Sequence, residues 1–212
     1  MTPTHKETTM LNKNLMRDRQ RPLIDLYKKE PAAAWVTDIA RTEWSCDDPL
    51  HGTVVLGPSE PVHVPIAVHT AVGGDSDEAV PGDVLAAALA SCIDSTIRII
   101  ANRMRIPLVA LTIRASAEVD VRGTLCVDPN VPVAFQRMSL HISIQAEQGV
   151  EESKIKFLLQ LAESCCVVLQ TLRNGLPVAV SIENRSEQGA RAPSSSAAAD
   201  VGRRDDEALL SR

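Results

Sequence analysis

The sequence predicts an α+β fold with antiparallel sheets and two main helices. Residues 111–121 and 138–146 alternate apolar and polar side chains, which predicts two strands that each bury one face. Residues 84–101 read as a helix that is apolar on nearly all sides, because 13 of its 18 residues are apolar. The order of strands, helix, two strands, helix and strand is typical of the α+β class.

The elements before the first main helix are short. Residues 21–31 predict a helix that ends near Pro31, and residues 33–70 predict several short strands. Residues 53–56 form one of these strands before a Gly-Pro turn signal, and residues 63–68 form another. Pro65 indicates that the second lies at the edge of its sheet.

The first main helix opens at Pro81-Gly82-Asp83, with Asp83 as the expected N-cap, and ends before Pro107. Its apolar circumference indicates a buried helix, enclosed by other layers or subunits. A second main helix is expected from Val150 to Arg173, with or without a break, and ends at Asn174-Gly175. A last strand is predicted at 177–183.

We expect a single domain over residues 21–184. Residues 1–20 lack hydrophobic periodicity and are predicted to be a disordered arm. Residues 185–212 are small, polar and charged and are predicted to be a disordered tail.

The net charge of −5 and an aromatic content of 2% argue against nucleic-acid binding. The chain shows no run of about 20 apolar residues and no signal-peptide core, so no membrane partner and a cytoplasmic location are expected.

The five cysteines are the best candidates for chemistry. They are odd in number and contain no CxxC pair, which speaks against a disulfide framework and a standard zinc module. The five histidines show no metal-ligand spacing, and no catalytic-serine, Walker or dinucleotide motif occurs. No bound metal or cofactor is therefore expected. The cysteines are Cys46, Cys92, Cys126, Cys165 and Cys166.

Each main helix directs one cysteine toward its packing side. At about 100° per residue, Cys166 falls in the middle of the apolar stripe of the second helix and Cys165 on its flank. Cys92 shares a face with Leu89, beside the polar Ser95 and Thr96, which suggests a pocket. The alternative is that both thiols are inert core residues and that the hydroxyls bond to the preceding turn.

Four segments together resemble the OsmC/Ohr family, the osmotically inducible protein C and organic hydroperoxide resistance proteins. The resemblance covers roughly residues 33–183 and implies an OsmC-like fold in an intertwined homodimer, with active sites at the subunit interface. The segments are PGDVLAAALASCIDSTIRIIANRMRIPL, RGTL, VPVAFQRMSLHISI and LAESCCVVLQTLRNGLPVAVSIE.

The resemblance also implies thiol peroxidase chemistry. Cys92 matches the peroxidatic cysteine and Cys166 the second cysteine, so an organic hydroperoxide would oxidise Cys92 to a sulfenic acid that condenses with Cys166. An external dithiol, in some relatives a lipoyl group, would reduce the disulfide. Arg41 is the match for the cation that stabilises the thiolate; it would otherwise be a solvated strand arginine.

Three positions depart from the pattern of the peroxidase branch. Gly82 stands where that branch has a glutamate, and Asp83 is the candidate to replace it. Val167 stands where a proline follows the second cysteine, and Ile93 follows the first cysteine where an aromatic residue is common. These departures suggest an OsmC-like side branch with an altered pocket.

Two other functions remain open on the sequence. The first is a non-catalytic small-molecule-binding or slow thiol-sensing dimer on the same scaffold, which the missing glutamate and the apolar Ile93 favour. The second is a nucleic-acid-binding regulator, which only the arginines of the N-terminal arm favour.

Overall fold

The structure is a computed structural model that describes residues 14–45 and 47–183. The chain divides into two units, the first ending at Gly175 and the second beginning at Leu176. The predicted tail, residues 1–13 of the predicted arm, and Cys46 lie outside the described residues.

Helix α1 spans Leu15–Lys29 and is followed by a 3-10 turn, Pro31–Ala34. The helix predicted from residue 21 is therefore present, but it begins six residues earlier, so residues 15–20 of the predicted arm belong to it. The amide of Met16 donates to Asn102 Oδ1 (3.0 Å), which ties this early start to the rest of the unit. None of the helix residues is buried.

Three antiparallel strands follow in the order β1-β2-β3: β1 (Ala40–Glu43), β2 (His51–Leu56) and β3 (Val62–Ala67). The strand β3 lies at the edge of this sheet, with Pro65 opposite Thr53, as the proline predicts.

Helix α2 spans Pro81–Met104. Its N-cap is Val80, so the expectation of Asp83 as N-cap is wrong by one turn, because Pro81 and Gly82 are already helical. The Asp83 carboxylate still serves the helix start, since it accepts the Val80 amide proton (3.1 Å). Within one chain α2 buries one stripe, not its whole circumference. That stripe consists of Leu89, Ile93, Ile97, Ile100 and Ala101.

The second sheet contains β4 (Leu108–Val119) and β5 (Phe135–Ala146), paired antiparallel and joined through the short α3 (Val121–Thr124). Along both strands more buried and more exposed residues alternate, which confirms the period-two prediction. Ile113 lies opposite Ile142 in the register, so the apolar side chains of the two strands share the face toward the helices.

Helices α4 (Glu152–Cys165) and α5 (Val167–Asn174) form the second main helix, bent by 60° at Cys166. The break left open by the sequence is thus present, and the helix ends at Gly175 as predicted, with positive φ. The core of the unit lies where α2, α4 and α5 pack against the β4–β5 sheet.

In the second unit, residues 176–183 form neither helix nor strand and are exposed. The strand predicted at 177–183 is therefore not formed within the single chain. Its alternating apolar residues favour a strand, but a strand also needs a hydrogen-bonded neighbour. These apolar residues are Leu176, Val178, Val180 and Ile182.

By length and composition, α2 is apolar enough to cross a membrane, which the sequence reading did not anticipate. A core helix passes the same test, and α2 places Leu89, Ile93 and Ile97 in the core of the first unit.

Candidate active site

The break between α4 and α5 holds the Cys166 thiol in the core. The backbone of Cys166 is extended (φ −77°, ψ 107°), so this residue ends one helix and precedes the next. Its amide donates the last hydrogen bond of α4, to the Ala162 carbonyl (3.0 Å). Its carbonyl accepts the first hydrogen bond of α5, from the Gln170 amide (3.0 Å). The side chain is completely buried.

Cys92 lies near the middle of α2, at the border between its buried stripe and its open side. It is partly buried and packs against the core cluster that contains Cys166. The Cys92 thiol lies near enough to Cys166 to raise the pKa of that thiol, so the two helices bring the predicted pair close together. Such proximity is a necessary condition for a disulfide between the two helices.

Burial raises the pKa of the Cys166 thiol, because desolvation disfavours the thiolate. The neighbouring Cys92 thiol raises this pKa further, whereas the backbone amides of Val168 and Leu169 oppose the rise. Cys166 is therefore a neutral thiol at neutral pH, suited to a partner in condensation more than to a first nucleophile.

The polar neighbours of Cys92 on α2 bond within the helix. The Thr96 hydroxyl donates to the Cys92 carbonyl (2.8 Å), which confirms the bond to the preceding turn for this residue. Ser95 Oγ accepts from Arg98, which also binds Asp94. These groups therefore use their hydrogen bonds on α2 itself.

A cavity of about 1120 Å³ opens at the start of α2, between the three-stranded sheet and the β4–α3–β5 segment. Apolar side chains form most of its wall, together with the aromatic rings of Trp44 and Phe135. Among the described residues, neither Cys92 nor Cys166 lies on that wall. Within one chain the cavity and the thiol pair are separate features.

Gly82 and Asp83 both line this cavity. A Cβ atom at position 82 would lie 3.2 Å from Phe135 Cζ, closer than ordinary van der Waals contact. The glutamate expected at position 82 by resemblance would therefore require the Phe135 ring to move. The structure gives a packing reason for this departure.

Arg41 lies on β1 with its side chain more than half exposed, and its guanidinium binds the Glu43 carboxylate (2.9 Å). Glu43 contributes to the cavity wall, so Arg41 is held at the edge of the cavity. In the single chain, Arg41 is therefore paired with a carboxylate and not with a thiol.

The sequence analysis did not identify a charged cluster of which one member, His51, lines the cavity. His51 Nδ1 lies 2.8 Å from Asp48 Oδ2, and His51 Nε2 lies 3.0 Å from Asp77 Oδ1. The bonds from Asp77 and Asp48 raise the pKa of His51, and His51 helps lower the pKa of both carboxyls. This Asp48–His51–Asp77 clamp joins the start of β2 to the loop before α2.

The remaining described cysteines are exposed: Cys165 beside the bend and Cys126 in the loop after α3. Within residues 14–45 and 47–183, no group of histidine, cysteine or acidic side chains is arranged to hold a metal ion.

The first unit is therefore an α+β unit with two neighbouring thiols between its helices. The family model described as OsmC-like protein matches residues 73–181, just over half of the chain. The chain belongs to the OsmC family, and this confirms the resemblance drawn from its cysteine segments.

Solved structures agree with this fold. An OsmC-like protein from Mycoplasma pneumoniae is 14% identical, with a TM-score of 0.50 over 66% of this chain and 89% of that chain. An OsmC-like protein of unknown function from Vibrio cholerae is 12% identical, with a TM-score of 0.52 over 65% and 94%. These two likenesses show the α+β OsmC fold.

An organic hydroperoxide resistance protein, OsmC, from Legionella pneumophila is 19% identical, with a TM-score of 0.47 over 66% of this chain and 92% of that chain. No curated protein sequence matches the chain.

Proposed function

We propose that this protein is a thiol-dependent peroxidase that reduces organic hydroperoxides in oxidative stress defence. The observation that carries the proposal is the contact between Cys92 and Cys166 in the core of the OsmC-type fold. The two thiols differ in exposure, with Cys92 partly open and Cys166 fully buried, which suits them to successive steps.

In the first step the Cys92 thiolate attacks an oxygen of the hydroperoxide. The O–O bond breaks, the terminal oxygen stays with its hydrogen on Cys92 as a sulfenic acid, and the alkoxide takes up the proton that Cys92 released on ionising and leaves as the alcohol. In the second step the Cys166 sulfur attacks the Cys92 sulfur, and water leaves as the disulfide forms. The proximity of the two thiols favours this condensation, because the reacting groups are already held near each other.

An external dithiol completes the cycle by two exchange steps that return both cysteines to thiols. The first attack falls on Cys92, since the Cys166 sulfur is closed to solvent. A lipoyl group is one dithiol of suitable chemistry. No bound cofactor is required by these steps.

We place the active protein in the cytoplasm as a homodimer. The side of α2 that includes Ala87, Ala88 and Ser91 is exposed in the single chain, although the helix is largely apolar. A second copy that covers this side would give α2 the buried surroundings that its composition predicts.

Arg41 remains the proposed cation for the Cys92 thiolate. It would have to exchange the Glu43 carboxylate for the sulfur, in its own or in the second copy. Asp83 is the proposed replacement for the missing glutamate. Its carboxylate lies on the cavity wall while accepting the Val80 amide proton.

Consumption of cumene hydroperoxide with a dithiol reductant tests the proposal. Cys92→Ser should reduce turnover to the uncatalysed rate, because the oxygen of serine is a far weaker nucleophile than a thiolate. Cys126→Ser, which removes an exposed cysteine outside the pair, should leave turnover unchanged. Full turnover by Cys92→Ser would reject the mechanism.

The cavity favours a second candidate, a non-catalytic small-molecule-binding or slow thiol-sensing dimer. Its volume of about 1120 Å³ and its largely apolar wall suit an apolar ligand, and the thiols lie apart from it. Cumene alcohol, the reduced and unreactive analogue, separates the two functions. Tight binding of the alcohol without hydroperoxide turnover would support the second candidate.

A further inference from the structure

The position of Cys166 depends on the 60° bend between α4 and α5. Sequence resemblance leads one to expect a proline directly after this cysteine, and a proline would fix the bend by its ring. Here the residue is Val167, which is 72% exposed. Neither a ring nor burial of this side chain holds the bend, so other contacts must do so.

Gln170 makes a side-chain hydrogen bond across the bend. In a continuous helix the carbonyl of Glu163 would accept the amide of residue 167. At the bend it accepts the side-chain amide of Gln170 instead, Nε2 to O at 2.7 Å. This carbonyl belongs to the last turn of α4, so the side chain of an α5 residue caps the preceding helix.

Gln170 is anchored on both sides of Cys166. Its backbone amide donates to the Cys166 carbonyl (3.0 Å), while its side chain reaches Glu163. Arg173 adds a weaker link across the same bend, since its guanidinium lies 3.4 Å from Glu163 Oε2. Both ion-pair partners are more than half exposed, so Gln170 carries more of the restraint.

We propose that Gln170 is a positioning residue that fixes the bend and thereby holds the Cys166 thiol against Cys92. In this chain the Gln170 side chain restrains the bend, as a proline directly after the second cysteine would do. The inference rests on the proposed function, because the step it assists is the condensation of the Cys92 sulfenic acid with the Cys166 thiol. That step forms the S–S bond and releases water.

Gln170→Met tests the proposal, because methionine keeps the length of the side chain and removes its donor. After one equivalent of cumene hydroperoxide, sulfenic acid should appear at Cys92 at the wild-type rate. The Cys92–Cys166 disulfide should form about three- to tenfold more slowly, the range expected for the loss of one hydrogen bond. Rapid quenching with a sulfenic-acid probe and mass spectrometry follows both steps.

Asn174→Ala is the matched control. Asn174 Nδ2 also donates to a backbone carbonyl, that of Gln170 (2.8 Å), but this bond stays within α5. The control should lose a similar amount of unfolding free energy and keep the wild-type rate of disulfide formation. Equal slowing in both variants would mean that helix stability, and not the bend, governs the step, and would overturn the proposal.

Val167→Pro in the Gln170→Met background tests the role of the bend by rescue. The extended backbone of Cys166 is compatible with a following proline, and Val167 is the first residue of α5, where proline is favoured. The double variant should recover most of the lost rate. A double variant as slow as Gln170→Met would contradict the proposal.

A second readout does not depend on peroxide chemistry. Alkylation of Cys166 by iodoacetamide in the reduced protein should be about three- to tenfold faster in Gln170→Met, because a looser bend exposes the thiol more often. If wild type forms no Cys92–Cys166 disulfide, the proposed function is rejected. The alkylation rate of Cys166 then still tests whether Gln170 fixes the bend. Wild-type behaviour of Gln170→Met in both readouts would overturn the inference.

Discussion

Cys165 and Cys166 are neighbours in sequence, yet they occupy opposite environments. Cys165 is exposed on the last turn of α4, whereas Cys166 is fully buried and in contact with Cys92. Burial raises the pKa of Cys166 and keeps its thiol neutral at neutral pH. Cys165 therefore serves as an exposed internal reference against which the reactivity of the buried Cys166 thiol can be measured.

We expect iodoacetamide to alkylate Cys165 much faster than Cys166 in the native protein at pH 8. Alkylation requires a thiolate that the reagent can reach, and Cys166 is deficient in both respects. In 6 M guanidinium the two rates should become similar. Peptide mass spectrometry gives both rates from one digest, and equal native rates would contradict the burial of Cys166.

The raised pKa also has a consequence for stability. A thiol whose pKa is higher in the folded protein contributes stability that is complete below its unfolded pKa of about 9 and is lost as pH rises through the folded value. Cys166→Ala removes this dependence, so the unfolding free energy of wild type should fall more steeply above pH 9 than that of the variant.

Removal of Cys166 should also change the fate of oxidised Cys92. In Cys166→Ser, the Cys92 sulfenic acid has no partner and should accumulate, then pass to sulfinic acid with excess peroxide. Intact-mass measurements should show one added oxygen, then two. Disulfide formation lowers the mass of wild type by two hydrogens. The same mass decrease in Cys166→Ser would indicate that another cysteine serves as partner.

Several residue assignments could be read from the sequence because they depend on local spacing. The positions of Cys92 and Cys166 on their helices follow from helical periodicity, and the structure brings the two thiols together. The pairing of Arg41 with Glu43 and the contact of Phe135 with position 82 depend on tertiary geometry. Spacing along the chain contains no signal for either of them.

At the scale of elements, the Asp48–His51–Asp77 clamp connects β2 to the loop that leads into α2. Asp48 is three residues from His51, but Asp77 is 26 residues away, so the sequence alone could not assemble the clamp. His51 of the clamp lines the cavity, as do Gly82 and Asp83 at the start of α2.

The clamp predicts a pH-dependent stability. The pKa of His51 is raised from 6.5, so its contribution is complete below pH 6.5 and is lost as pH rises through the folded value. The carboxyl pKa values are lowered from 3.8, so their contribution is present above pH 3.8 and is lost as pH falls further. The clamp should therefore stabilise the protein most between about pH 4 and 6.5.

His51→Gln should reduce the unfolding free energy at pH 6 and have less effect at pH 9, because the imidazolium is absent there in both proteins. Urea denaturation at the two values measures this difference, and 0.5 M salt should reduce it because the groups are partly exposed. His63→Gln, an exposed histidine on β3, is the control. An equal effect of His51→Gln at both pH values would contradict a charged clamp.

For the molecule as a whole, periodicity predicted the α+β class, the long strands and the helical segment around Cys166, because burial on one face imposes those patterns. The strand predicted at 177–183 and the complete burial of α2 are not found within one chain. Both concern apolar residues that the single chain leaves exposed. Sequence pattern reports which residues favour burial, but it does not say whether the same chain covers them.

We therefore expect the protein to be a dimer in light scattering after size exclusion. Ala88→Glu, on the exposed side of α2, should shift the population toward monomer, because a carboxylate buried between two copies would be desolvated without a partner. Lys156→Glu, on an exposed position of α4, is the control and should remain dimeric. A monomeric wild-type protein would contradict the proposed assembly.

The most direct test of the account is a map of thiols and disulfides after reaction of the reduced protein with one equivalent of cumene hydroperoxide. Acid quenching and peptide mass spectrometry should show a Cys92–Cys166 disulfide formed rapidly and in high yield, with Cys126 and Cys165 still reduced. An unmodified Cys92, with slow oxidation scattered over the exposed cysteines, would contradict the peroxidase mechanism.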